Sequence, residues 1–182
     1  VSGGSDNLQY AFMLGYLDQD GILAKTNYRK TDFRSNVDAY FLNKTLRVTT
    51  RLAGNMGTQW QPTDLWSTIW YSTLAPIFPL KAADGNWMTV NGERNYLGEA
   101  EEGSTTKNKR YNFNGQIEGE YKFLDGFSLQ MTYGYNVEHG DKNAFNANVI
   151  LENMDGSTKT LASNLTITNS TNTQSLLTTL LK

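Results

Sequence analysis

Ten charged side chains recur at alternate positions along four segments of the chain. They are Asp32, Arg34, Asp38, Arg47, Arg51, Arg110, Glu118, Glu120, Lys122 and Glu138. Asp32, Arg34, Asp38, Arg47 and Arg51 come from two neighbouring segments. On one wet surface they would either line a polar path and dock another protein element, or simply pair with one another, which stabilises little. All four tryptophans fall in one long stretch, at positions 60, 66, 70 and 87. Exposed aromatics stack on sugar faces or anchor a protein partner; buried ones would give that stretch its own small core. Trp66, Trp70 and Trp87 are the candidate contacts for a ligand or partner, with Trp87 expected to be the most exposed.

Other chemistries find little support. There is no Cys and a single His, His139, which excludes thiolate nucleophiles, disulfides and a His-built metal centre. Asp18-Gln19-Asp20-Gly21 opens like a calcium loop but lacks the later ligands and the closing Glu. It reads as a turn. Asp141, Glu152 and Asp155 have no spacing that suggests a carboxylate pair. No phosphate loop, nucleophile elbow or zinc motif occurs. A net charge of -2 gives no basic footprint for nucleic acid. The expectation is a chain that is not an enzyme and needs no cofactor and no metal.

The elements that position these residues are strands. In Leu8–Leu17, residues Leu8, Tyr10, Phe12, Leu14 and Tyr16 share one face. The same period runs through Asp32–Phe41, Leu46–Met56, Arg110–Phe123 and Phe127–Glu138. One face of each carries no Asp, Glu, Lys or Arg, and the other carries the ten charges. A one-residue slip in register would throw charges across. A sixth strand, Thr173–Lys182, is weaker because Leu176, Leu177, Leu180 and Leu181 occupy both faces.

The links alternate in length. Leu42–Thr45 is short, and Leu124-Asp125-Gly126 holds an Asp-Gly hairpin turn. The stretches 18–29, 57–109 and 139–172 read as long. Short turns at one end and long loops at the other are the pattern of an outer-membrane barrel. Aromatics near both ends of the strands fit interfacial girdles. Within 57–109, Leu65, Trp66, Ile69, Trp70 and Leu74 fit a short amphipathic helix, capped near Thr63 or Asp64. The fold class expected is all-β and antiparallel: about six strands of a partial outer-membrane barrel, with one short helix in a long outer loop. A soluble, secreted β-rich carbohydrate-binding module is the alternative, because alternating strands also build sandwiches with one wet face.

Particular stretches are similar to a known family. Val1-Ser2-Gly3-Gly4-Ser5-Asp6, then Tyr10, then Leu14-Gly15-Tyr16-Leu17-Asp18-Gln19-Asp20-Gly21-Ile22, resemble the SusC/RagA family of TonB-dependent transporters. Tyr28-Arg29 and Arg34, Asn36 and Asp38 continue the likeness, as do Ala75-Pro76-Ile77-Phe78-Pro79 and Asp84-Gly85-Asn86-Trp87. The resemblance covers roughly the first ninety residues and is looser from Tyr111 to Tyr135. It implies import of a sizeable nutrient, often a glycan or peptide, across the bacterial outer membrane. It also implies energy from TonB through a plug, a SusD-like surface lipoprotein over the barrel, and contact with membrane lipid. About six strands are expected over residues 1–182, with neither a plug nor a TonB box. The expectation is therefore the part of such a barrel that follows the plug.

Overall fold

Alternating apolar and polar residues satisfy their backbone groups by pairing side by side, which commits each segment to one register. The computed structural model describes residues 1–73, 79–89 and 92–182. Its strands are β1 Ser2–Ser5, β2 Leu8–Asp20, β3 Asn27–Phe41, β4 Leu46–Gln61 and β5 Trp87–Met88. They continue with β6 Thr105–Leu124, β7 Phe127–Asn146, β8 Val149–Glu152, β9 Thr158–Leu161 and β10 Asn164–Leu181. Two helices, α1 Leu65–Ser72 and α2 Tyr96–Glu101, lie between β4 and β6. The main sheet runs β1-β2-β3-β4-β6-β7-β10 and is antiparallel throughout. A small sheet, β5-β8-β9, is built from the long links. The chain is nearly all antiparallel β, as the alternation predicts, with a parallel β5–β8 pair and two short helices where one is expected, and its main sheet is consistent with part of a barrel wall.

Register joins the separate faces into two continuous ones. Directly opposed residues in antiparallel strands share a face. Leu14 opposes Phe33, Phe33 opposes Gly54, Gly54 opposes Phe113, and Phe113 opposes Val137. On the other side Asp38 opposes Thr49, Thr49 opposes Glu118, and Glu118 opposes Thr132. Between the row of Tyr16, Thr31, Met56, Tyr111 and His139 and the short turns, the apolar face has no Asp, Glu, Lys or Arg. Its side chains are uncovered: Leu14, Phe33, Ile117, Met131 and Tyr133 are all exposed. Contiguous apolar surfaces of this kind are rare on soluble monomers. The buried hydrophobic core lies elsewhere, in the loops.

The strands are longer than the hydrophobic alternation. The 18–29 link is not long: β2 and β3 continue to a tight turn at 21–26, closed by Gly21 N–H to Thr26 O at 2.9 Å. Likewise 57–109 and 139–172 shrink to 62–104 and 147–163. The reason is local. Past the row of Tyr16, both faces turn polar, so the period fades while the ladder continues. Arg29 reaches Asp18 across it at 3.1 Å. β10 starts at Asn164, ahead of the expected strand, where Leu165 and Ile167 are the apolar residues of a stretch otherwise polar as far as Thr171. β1 has no alternation to read in Ser-Gly-Gly-Ser, yet pairs with β2 from Ser2–Ala11 to Ser5–Leu8.

At the short-turn end, Gly126 takes a left-handed φ of 83° in the Asp-Gly turn. The β3–β4 turn uses Leu42, Asn43 and Lys44 at φ 52°, 53° and 69°. There the Thr45 hydroxyl donates to Leu42 O at 2.7 Å and locks the turn. Helix α1 forms where expected. Asp64 caps it, its carboxylate accepting from Ser67 N–H at 2.9 Å. Leu74 and residues 75–78, singled out in the sequence, lie outside the described residues.

Candidate functional site

Two surfaces present functional groups: the charged face of the sheet, and the loop assembly at the end opposite the short turns. All five charges singled out on β3 and β4 lie on the charged face. Asp38 is its best-connected member. Its carboxylate accepts from Arg47 Nη2 at 3.0 Å and from the Thr49 hydroxyl at 2.5 Å, and Thr49 is buried. Arg47 also lies over the Tyr40 ring at 6.0 Å. Asp32 pairs with Lys30 at 3.2 Å and faces Gly15, whose missing side chain leaves the space that the carboxylate occupies. Arg34 opposes Met13 and Ala53, and Arg51 opposes Asn36 and Gln116. Neither has a carboxylate within 4.0 Å among the described residues. The structure thus brings Asp38 and Arg47 together and leaves Arg34 and Arg51 as unpaired cations on a wet surface.

Asp38 has a testable weight. Replacing it with Ala would strand the buried Thr49 hydroxyl and leave Arg47, whose Nε is already buried without a partner, uncompensated. Loss of stability of about 1–2 kcal/mol is expected, at the lower end for charge-assisted bonds because the pair is partly solvated. Arg34→Ala should stay within about 0.5 kcal/mol of the parent. Equilibrium unfolding of the two variants, side by side, checks both values.

The loop assembly has its own core. Trp87, Ala147, Val149 and Leu151 are buried together, with Leu161 against them. Trp87 is a correction to the sequence reading, which expects it to be the most exposed tryptophan: it is 9% exposed. Its ring fills the space beside Gly98, where an added Cβ would sit 2.6 Å from Cδ2. Its indole N–H donates to Glu102 Oε1 at 2.8 Å, and Lys81 Nζ lies 4.2 Å from the ring centroid. The physical reason is that β5, β8 and β9 form a small sheet with α2 across it, and this layer needs one large side chain at its centre. As a ligand contact Trp87 is out of reach.

Trp66 and Trp70 are the reverse case, 81% and 73% exposed on α1. Helix α1 turns Leu65 and Ile69 the other way. With Ile22, Leu23 and Tyr28 they line an apolar hollow of about 420 Å³. On its other flank, Asp64, Trp66, Arg94, Tyr96 and Asn146 line a polar cleft of about 480 Å³.

Sequence reasoning missed the residues that build this cleft. Asn95 is fully buried. Its carbonyl accepts from Gly98 N–H at 2.8 Å, capping α2, and its amide donates to Met88 O at 2.8 Å. Arg94 makes a bidentate ion pair with the buried Glu99 and stacks over Tyr96 at 5.4 Å. Its guanidinium titrates above its ordinary range because Glu99 accepts from it. The readable signal was an Asn three residues before Gly98 and four before Glu99, a helix-cap spacing. Lys25 ties the β2–β3 turn to this layer, donating to Ala100 O at 2.9 Å and Glu101 O at 2.8 Å.

Chemically, the site presents groups that stack, pair and hydrogen-bond. It offers two exposed indoles, a fixed guanidinium and side-chain amides. Among the described residues, no three His, Cys, Asp or Glu side chains are grouped to hold a metal. No helix among them is long and apolar enough to cross a membrane, which says nothing of strands.

No protein-family model matches the chain. The TonB-dependent receptor P3 of Formosa agariphila is 27% identical to it over 166 aligned residues. The alignment covers 82% of this chain and 16% of the relative, so the chain spans about a sixth of that protein's length. Over most of its length, then, this chain is similar to a stretch of a TonB-dependent receptor, and that likeness suggests the same family.

Proposed function

We propose that this chain forms part of the barrel wall of a TonB-dependent outer-membrane transporter that imports a nutrient such as an oligosaccharide or a peptide. One observation carries the reading: five neighbouring strands, β2, β3, β4, β6 and β7, align into a continuous, exposed apolar face without a charged residue, backed by a face that holds the ten charges together with Lys30 and Lys142. Eleven residues of tilted strand, as from Leu46 to Met56, span about 25 Å of hydrocarbon. In such a solvent every backbone donor and acceptor needs a partner, which a closed sheet provides. The likeness to a TonB-dependent receptor supports the same reading, and a transporter needs no catalytic set.

In this reading the charged face lines the lumen. Asp32, Arg34, Asp38, Arg47 and Arg51 then meet a plug, or water in the transport path. The loop assembly faces outward. Trp66 and Trp70 lie where a nutrient or a SusD-like surface lipoprotein would arrive, and TonB acts through the plug. Further strands beyond β1 and β10 complete the barrel, since the two edges of the sheet otherwise expose unpaired backbone groups. Fractionation of cells that make the whole protein tests this. The protein should sediment with the outer membrane and need detergent for release, at a mass several times 20.4 kDa. Recovery from the periplasm or medium as a monomer of about that mass would refute it.

A further inference from the structure

The row just beyond the apolar face, on the same side of the sheet, changes character abruptly. It reads Asp18, Arg29, Thr58, Lys109 and Asp141, with Asp20, Asn27, Trp60, Lys107 and Asn143 one step further, where Asp20 accepts from Asn27 at 2.8 Å. Both carboxylates of this row are engaged. Asp18 is held by Arg29 at 3.1 Å and accepts from Asn27 at 3.0 Å, and Asp141 is held by His139 at 2.9 Å. Lys107 and Lys109 have no carboxylate within 4.0 Å among the described residues. Two cations converge on one indole: Arg29 lies 5.6 Å and Lys107 5.1 Å from the Trp60 ring centroid. An aromatic ring fixed between cations at an apolar–polar boundary is the arrangement that an interfacial headgroup layer favours.

From this we infer that Arg29, Trp60, Lys107 and Lys109 form a binding site on the outer wall for a phosphate-bearing lipid headgroup. The proposal rests on the membrane-barrel reading. The two lysines hold no ion pair within 4.0 Å among the described residues, although Asp141 faces Lys109 across the ladder; Arg29 supplies a planar donor, and Trp60 holds the level at which they meet the headgroup. The apolar rows below receive the acyl chains. The charge-free band ends here, so the site sits at one fixed depth.

The test uses the whole protein in nanodiscs of phosphatidylcholine doped with phosphatidylglycerol, with co-purified lipid counted after exchange into detergent. Trp60 stays unchanged, so that K107Q/K109Q removes charge alone. The parent should retain phosphatidylglycerol over phosphatidylcholine, and the double variant should lose roughly twentyfold in that preference, about fivefold per lysine. N143Q, at a neutral position beside Lys107, should keep it. Equal retention by parent and double variant would overturn the proposal. So would displacement of the anionic lipid by millimolar inorganic phosphate, which would mark a site for a soluble anion. Failure of the parent to enter the bilayer would instead overturn the barrel reading beneath it. A variant that inserts and unfolds like the parent shows that its lost preference is not misfolding.

Discussion

Ile117→Arg is expected to cost about 2–4 kcal/mol of folding free energy in a bilayer and to reduce the amount of protein assembled in the outer membrane. Ile117 sits within the charge-free face, exposed, between Thr50 and Tyr133 on the neighbouring strands. A guanidinium there would displace an apolar contact and enter hydrocarbon near mid-depth, where charges on a barrel's lipid face cost most. The comparison that isolates the cause is Gln116→Arg. Gln116 is the adjacent residue, points to the charged face, and lies opposite Arg51. Its replacement adds the same group to a wet surface. It should cost under about 1 kcal/mol, chiefly from repulsion by Arg51. Urea unfolding from vesicles measures both. Equal costs would mean that the two faces see the same solvent.

Trp87→Ala is expected to loosen the loop assembly and leave the sheet intact. Its ring is the largest side chain in a core otherwise made of Ala147, Val149, Leu151 and Leu161. Truncating a buried Trp costs about 3–5 kcal/mol, and so small a layer has little else to hold it. Glu102 also loses the indole donor, and the groove beside Gly98 is left empty. Hydrogen exchange should show protection lost at β5, β8, β9 and α2 while β3, β4, β6 and β7 keep theirs. Trp66→Ala, on the exposed face of α1, should leave exchange unchanged within error. Its effect belongs to ligand or partner binding. A uniform loss across the main sheet in Trp87→Ala would show that loops and wall fold as one unit.

The contrast between Trp87 and Trp66 shows how far the sequence could be read. Period-two alternation marks a face, and five segments carried it cleanly. Register then followed, because a slip at any pair would have set Arg47 or Glu118 among aromatics. The outer extensions were not legible. From Asp18 to Arg29, and again from Asn164 to Thr171, apolar residues are few, with only Leu165 and Ile167 in the second stretch, so hydrophobicity reports weakly a ladder held by backbone bonds and cross-strand pairs. The loop core was not legible for another reason. Trp87 comes from one loop and Val149 and Leu151 from another, so its burial depends on a contact between links far apart in sequence. Exposure of Trp66 and Trp70 was not legible either, since the spacing grouped them with Leu65 and Ile69 as one apolar set, and only packing of the helix against the β2–β3 turn separates the two pairs. The Arg94–Glu99 pair and the Asn95 cap are local, and the cap spacing was there to be found.

The most direct test of the account is a scan of solvent around single positions on β6. The chain contains no cysteine, so, with any Cys elsewhere in the whole protein replaced, one Cys at a time from Phe113 to Tyr121 carries a nitroxide label. In the whole protein in bilayers, accessibility to oxygen and to a water-soluble nickel complex should alternate with a period of two. Positions 113, 115, 117, 119 and 121 should favour oxygen, and 114, 116, 118 and 120 should favour nickel. Nickel access at both sets, with no alternation, would contradict a lipid-facing wall and with it the transporter reading.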